Sequence, residues 1–145
     1  MVESLRIIYG DDISALEDAK FEVVTTDEFK VIFVGGKQMF IEFDGELFPT
    51  VRGALSLLPA NRVVAVDMGA VKFVVNGADV MSPGIVSADS SIQKDDLVVI
   101  VDEKHNKPLA IGRALISGDE MTVSKTGKAV KSLSCVGDTL WDLEI

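Results

Sequence analysis

Catalysis needs a nucleophile, a base or a ligand set, and this chain offers few candidates. Cys135 is its one cysteine and His105 its one histidine. A lone thiol forms no intrachain disulfide and is compatible with a reducing cytoplasm. There is no Cys-x-x-Cys, no His-Glu-x-x-His and no His/Cys cluster, so a zinc centre of the usual kind is not expected. Asp11-Asp12 and Asp95-Asp96 are paired carboxylates, but both pairs open elements, where turns and caps account for them. Ser124-Lys125-Thr126-Gly127-Lys128 holds a Gly-Lys step without the GxxxxGK[ST] spacing of a phosphate loop. His105 falls in a charged hairpin tip beside Lys104 and Lys107, where a base would still need a positioned partner. Cys135 reads as a small apolar residue, and Trp141 and the seven phenylalanines as core. Aromatic residues are 6% of the chain, too few to suggest a stacking platform for single strands. No catalytic residue, no metal site and no cofactor is expected.

Residues suited to binding stand out more. Gly77-Ala78 and Ser82-Pro83-Gly84 are small, rigid stretches that a polymer backbone can approach closely, with backbone N–H groups as donors. Lys72 precedes them on a predicted helix. Lys125, Lys128 and Lys131 fall in 121–137, a stretch with no acid. Arg113 lies in a predicted strand, facing either a ligand or an acidic partner. Each feature also has a plainer reading: the glycines as turn formers, the lysines as a solvated loop.

The elements that must position these residues alternate quickly. Residues 11–20 read as a short helix with acids in its first turn. Residues 21–25, 29–34, 37–43 and 46–48 read as strands, with hairpin turns at Gly35-Gly36 and Asp44-Gly45. Thr50 caps a helix running to Leu58. Pro59-Ala60-Asn61-Arg62 is the best candidate boundary. A strand over 63–66 then leads, through a cap at Asp67, to a helix over 69–75 that Gly77 ends. Ile85-Val86 begins a strand. Residues 97–101 and 108–116 form a hairpin around Glu103–Lys107, Gly118-Asp119 turns the chain, and 139–145 alternates as a closing strand. Several short strands with one helix between the first two suggest a small mixed barrel.

The 145 residues carry 14 Lys+Arg against 23 Asp+Glu, a formal net charge of −9. That excludes a polybasic protein that coats nucleic acid by charge alone, without excluding a local basic patch. The acid is spread evenly: residues 1–62 hold 6 cations and 11 anions, residues 63–145 hold 8 and 12. Met1–Gly10 has no signal-peptide pattern and no apolar run approaches a membrane span, so a cytoplasmic protein with no membrane partner is expected.

The stretch from Val66 to Ile85, VDMGAVKFVVNGADVMSPGI, resembles the PUA domain signature: a VD strand end, G-A-V-K in a helix, then G-A-D-V-M-S-P-G-I. Leu47-Phe48-Pro49-Thr50-Val51-Arg52 resembles the F-P-T-[LV]-R element of the malignant T-cell-amplified sequence protein family. Those proteins join a pre-PUA domain to a PUA domain, and this chain resembles their archaeal stand-alone members. The resemblance implies an α+β chain: a small α/β pre-PUA domain over 1–62, then a PUA mixed β pseudo-barrel over 63–145. It also implies binding of structured RNA, a tRNA or rRNA stem, through the helix, the loop after it and a nearby strand. The residues concerned would be Lys72, Gly77, Ala78, Ser82, Pro83, Gly84, Arg113, Lys125, Lys128 and Lys131. Eukaryotic members pair with the density-regulated protein and act on the small ribosomal subunit in reinitiation or recycling, so the resemblance implies a translation-factor partner as well.

Duplex RNA presents phosphates and 2′-hydroxyls more readily than base edges, so its reader needs close approach and a few cations. That suits a small patch on an acidic body. Two other readings stand beside an RNA-binding translation protein. One is a protein-interaction adaptor working through the acidic N-terminal half and Phe29, Phe40 and Phe43. The other is an RNA-modifying enzyme or its accessory subunit. The 62 residues outside the PUA segment are too few for the usual catalytic folds.

Overall fold

The computed structural model describes residues 5, 8–10, 20–27 and 29–144. The helix expected over 11–20 lies outside them, except for Lys20. Four strands form an antiparallel meander: β1 (Phe21–Thr25), β2 (Lys30–Val34), β3 (Lys37–Phe43) and β4 (Glu46–Pro49). Gly35 and Gly36 both adopt positive φ, 58° and 82°, as the two-residue turn between β2 and β3 requires. Period-two alternation sends Ile32, Val34 and Phe40 to one face of this sheet and Val31, Phe33 and Ile41 to the other. Both faces are buried along most of β2 and β3, while β1 is exposed.

Thr50 caps α1 (Val51–Ser56) by accepting the Gly53 N–H at 3.0 Å. A Cβ at Gly53 would lie 1.8 Å from the Met39 carbonyl oxygen, so glycine there lets the helix lie directly on the β3 backbone.

The second sheet has six strands: β5 (Val63–Val66), β6 (Val80–Met81), β7 (Ile85–Ala88), β8 (Leu97–Asp102), β9 (Pro108–Ala114) and β10 (Lys128–Cys135). Their order is β6-β10-β9-β8-β5-β7. Only β5 and β8 are parallel. The helix α2 (Met68–Val74) joins β5 to β6 at the far edge of the sheet. The edge strands β6 and β7 are consecutive in the chain, joined by a 3₁₀ turn over Ser82–Gly84. That turn brings the two sheet edges together and nearly closes the barrel. β8 is buried along its whole length: Leu97, Val99 and Val101 pack toward the N-terminal sheet, and Val98 and Ile100 fill the barrel.

Three expectations need correction. Gly118-Asp119 is not a turn but the start of α3 (Gly118–Val123). Ser117 and Glu120 form a full capping box, and that spacing was legible in the sequence. The acid-free segment 121–137 has no strand in the sequence reading, yet its residues 128–135 are β10, paired between β6 and β9. Residues 139–144 form successive turns, not a strand. Asp138 makes the difference: its carboxylate accepts N–H bonds from Trp141 (2.8 Å) and Cys135 (3.1 Å), donors that a strand would give to a neighbour. Leu140 and Leu143 then share one side at turn spacing and cover the second face of the N-terminal sheet.

Among the described residues no helix is long and apolar enough to cross a membrane.

Candidate nucleic-acid interface

The helix α2 is built by its ends. Asp67 Oδ1 accepts the Ala70 N–H at 2.9 Å, and Gly77 (φ 89°) ends the helix in the left-handed region. Ala78 N–H donates to Phe73 O and Gly77 N–H to Val74 O, both at 3.0 Å, a Schellman closure. Only Val74 is fully buried, so α2 lies on the barrel surface. Two backbone bonds and a strand pairing knit its surroundings: Asp67 N–H to Gly84 O and Ser82 N–H to Gly127 O, each 2.9 Å, and the β6–β10 pairing that sets Met81 opposite Lys128.

A groove of about 490 Å³ runs between α2 and the β6–β10 edge. Its lining includes the small residues Gly69, Ala70, Ala78 and Gly84, the apolar Phe73 and Met81, and the charged Asp79 and Lys128. Gly84 comes so near α2 that an added Cβ would sit 3.2 Å from the Ala70 methyl. Phe73 is 58% exposed and Met81 46%, so two large apolar side chains stand open at the groove. Its polar element is an ion pair: Lys128 Nζ lies 3.2 Å from Asp79 Oδ2, while Asp79 Oδ1 accepts the Ser132 N–H at 2.9 Å. That hydrogen bond, with Lys128 and Lys131 nearby, holds the Asp79 carboxyl below the usual range despite opposing burial.

The structure gathers some of the ten sequence candidates and scatters others. Ala78, Gly84 and Lys128 line the groove. Lys72 is exposed on α2, its ammonium 5.1 Å from the Phe73 ring centre. Pro83 and Lys125 are exposed on neighbouring loops, and Lys131 is exposed on β10. Gly77 is exposed, but its N–H and that of Ala78 are spent on the helix closure, so they are not free donors. Ser82 is 2% exposed with its hydroxyl buried and its N–H already bonded, so it supports the loop from beneath. Arg113 sits apart: it donates to Asp95 O at 2.7 Å and pairs with Asp44 at 3.4 Å, tying the barrel to the β3–β4 turn.

The sequence reading missed Phe73, Met81 and Asp79. Helical spacing held the signal for Phe73, which lies off the face shared by Val71, Val74 and Val75. The assignment of every phenylalanine to the core is therefore wrong for Phe73, and for Phe21, which is 46% exposed. His105 is exposed at the β8–β9 tip, and Asp102 accepts N–H bonds from Lys104, His105 and Lys107 there, a purely structural role. Among the described residues no group of His, Cys, Asp and Glu could hold a metal ion.

Residues 62–136 match the PUA domain family, and residues 7–55 match a domain of unknown function, DUF1947. An uncharacterised protein of Methanocaldococcus jannaschii is 45% identical over 123 residues, covering 85% of this chain and 76% of that one. Translation machinery-associated protein 20 of Eremothecium gossypii is 30% identical over 126 residues, covering 83% and 70%. Malignant T-cell-amplified sequence 1 of Danio rerio is 27% identical, covering 81% and 67%. The crystal structure of a hypothetical protein from Pyrococcus horikoshii superposes with a TM-score of 0.89 at 38% identity, covering 97% of this chain and 90% of that one. The barrel, the preceding small sheet and these matches agree: this chain belongs to the PUA domain family, as an archaeal-type relative of the translation machinery-associated and malignant T-cell-amplified sequence proteins.

Proposed function

We propose that the protein is a non-catalytic RNA-binding component of the translation apparatus. Its PUA domain, taken as residues 63–145, holds a tRNA or rRNA stem over the α2 groove. Residues 1–62 form the pre-PUA domain that docks a translation-factor partner. The observation carrying this reading is the groove itself: exposed apolar side chains at Phe73 and Met81, with Lys72 beside Phe73, Lys131 near Asp79 and Lys125 exposed on the loop before β10. Such a site suits a base or sugar face inside and phosphates outside. Membership of the PUA family and the printed names of the translation-associated relatives support the RNA and translation parts. The site acts in initiation or ribosome recycling by placing the protein on the small subunit. Filter binding with tRNA and purified small subunits tests this. Binding at low salt that Lys72→Glu with Lys125→Glu abolishes upholds the site; binding that ignores the pair removes it.

A second reading, an adaptor or an accessory subunit for RNA modification, has one observation in its favour. β1 is an edge strand whose Phe21 and Val23 are 46% and 56% exposed. Recovery of a protein partner from nuclease-treated extract, with no RNA binding by the pure protein, would favour it.

A further inference from the structure

The polar wall of the groove is already occupied by an anion of the protein's own. Asp79 places one carboxylate oxygen on the Ser132 N–H at 2.9 Å and the other 3.2 Å from Lys128 Nζ. A backbone N–H beside a lysine ammonium is the donor set that phosphate oxygens use. The Asp79 side chain is 28% exposed and that of Lys128 61%, so the pair faces solvent at the groove rather than the core. An ion pair this open is weak, and an incoming phosphate can exchange for it. Until that exchange, Lys128 is neutralised and the Asp79 carboxylate fills the place a phosphate would take.

We infer that Asp79 is a specificity-determining residue that occupies a phosphate position, so that the groove rejects RNA held by charge alone and retains RNA whose other contacts displace the carboxylate. The inference rests on the RNA reading of the groove. It would let an acidic chain, of net charge −9, keep its lysines without holding RNA by charge alone.

The test uses the full chain. Asp79→Asn keeps an oxygen for the Ser132 N–H and removes the charge. It is expected to bind an arbitrary RNA hairpin about three- to tenfold tighter at low salt. Its log–log salt slope should steepen by about 0.7–0.9, one further phosphate contact. Adding Lys128→Gln should erase the gain. Equal or weaker binding by Asp79→Asn overturns the inference. A second arm needs no RNA. Asp79→Ala empties the position, and titrated inorganic phosphate should then shift the Ser132 amide resonance saturably, at concentrations that leave the wild type unmoved. No such shift overturns the inference too. If the wild type binds no RNA yet the Ala variant takes up phosphate at Ser132, the masked phosphate position stands and the RNA reading falls. If the wild type binds RNA and neither variant differs from it, the RNA reading stands and the role of Asp79 falls.

Discussion

The Arg52 guanidinium carbon lies 3.9 Å from the centre of the Trp141 ring, and Arg52 Nε donates to the Trp141 carbonyl at 2.6 Å. Beside it, Gln38 Nε2 donates to the carbonyls of Leu140 (2.7 Å) and Leu143 (3.2 Å). The C-terminal turns, which follow the barrel in sequence, are thereby fastened to the first sheet and its helix. The arginine of the F-P-T-V-R element thus acts as a structural clamp.

Arg52→Ala should lose a cation–π contact and a charged hydrogen bond, a cost of about 2 kcal/mol. A urea titration should show a lower midpoint. Trp141 is the single tryptophan, so its emission should shift to the red as the turn loosens. An unchanged spectrum would mean that the ring is held by packing alone.

Asp102 is 4% exposed and accepts three N–H bonds at the β8–β9 tip, that of His105 contributing most to holding its carboxyl below the ordinary value. The folded state therefore binds this proton less readily than the unfolded chain, whose aspartates titrate near about 3.9. The stabilisation is fully present above that value and is lost as pH falls through the folded value. Asp102→Asn should cost about 1–3 kcal/mol at pH 7, since an amide presents N–H groups to N–H groups. The gap between variant and wild type in urea midpoint should shrink on acidification.

Phe73 is exposed and off the buried face of α2, so Phe73→Ala should leave thermal stability nearly unchanged. If the groove seats RNA, the same change should weaken binding by about 1–3 kcal/mol, the worth of one stacked base. Arg113→Gln is the contrasting control. Its partners are Asp95 O and Asp44, so it should lower stability slightly and leave the affinity for RNA alone.

Gly53 and Gly77 should fail differently. An alanine methyl at Gly53 would strike the Met39 carbonyl at 1.8 Å, which no side-chain motion relieves. Gly53→Ala should cost at least about 3 kcal/mol as α1 lifts from β3. At Gly77 nothing lies within 4 Å and only the φ of 89° resists, so Gly77→Ala should cost about 1 kcal/mol. Circular dichroism melts of both variants separate steric from conformational need.

Features set by neighbours in the chain could be read without the structure. The caps at Thr50 and Asp67 are each a side chain meeting an N–H three residues on. The Gly35-Gly36 turn needs only two residues tolerant of positive φ. The unbroken apolar run at 97–101 required a strand covered on both faces, and the linear signature over 66–85 carried the family. Lys72, Ala78, Gly84 and Lys128 lie at or beside one surface feature, because that signature keeps most of them close in sequence.

What the sequence left undecided depended on partners far along the chain. Ser82 looks like any exposed loop serine until Gly127 takes its N–H and the loop closes over it. Residues 139–144 alternate like a strand, yet the Asp138 carboxylate takes the Trp141 N–H, and the segment turns and covers the first sheet. Lys128 counts as a free cation until β6–β10 pairing brings Asp79 to it across 49 residues. Local chemistry determined the elements and the family; burial and charge pairing, which act through space, decided which of the basic and small residues face outward.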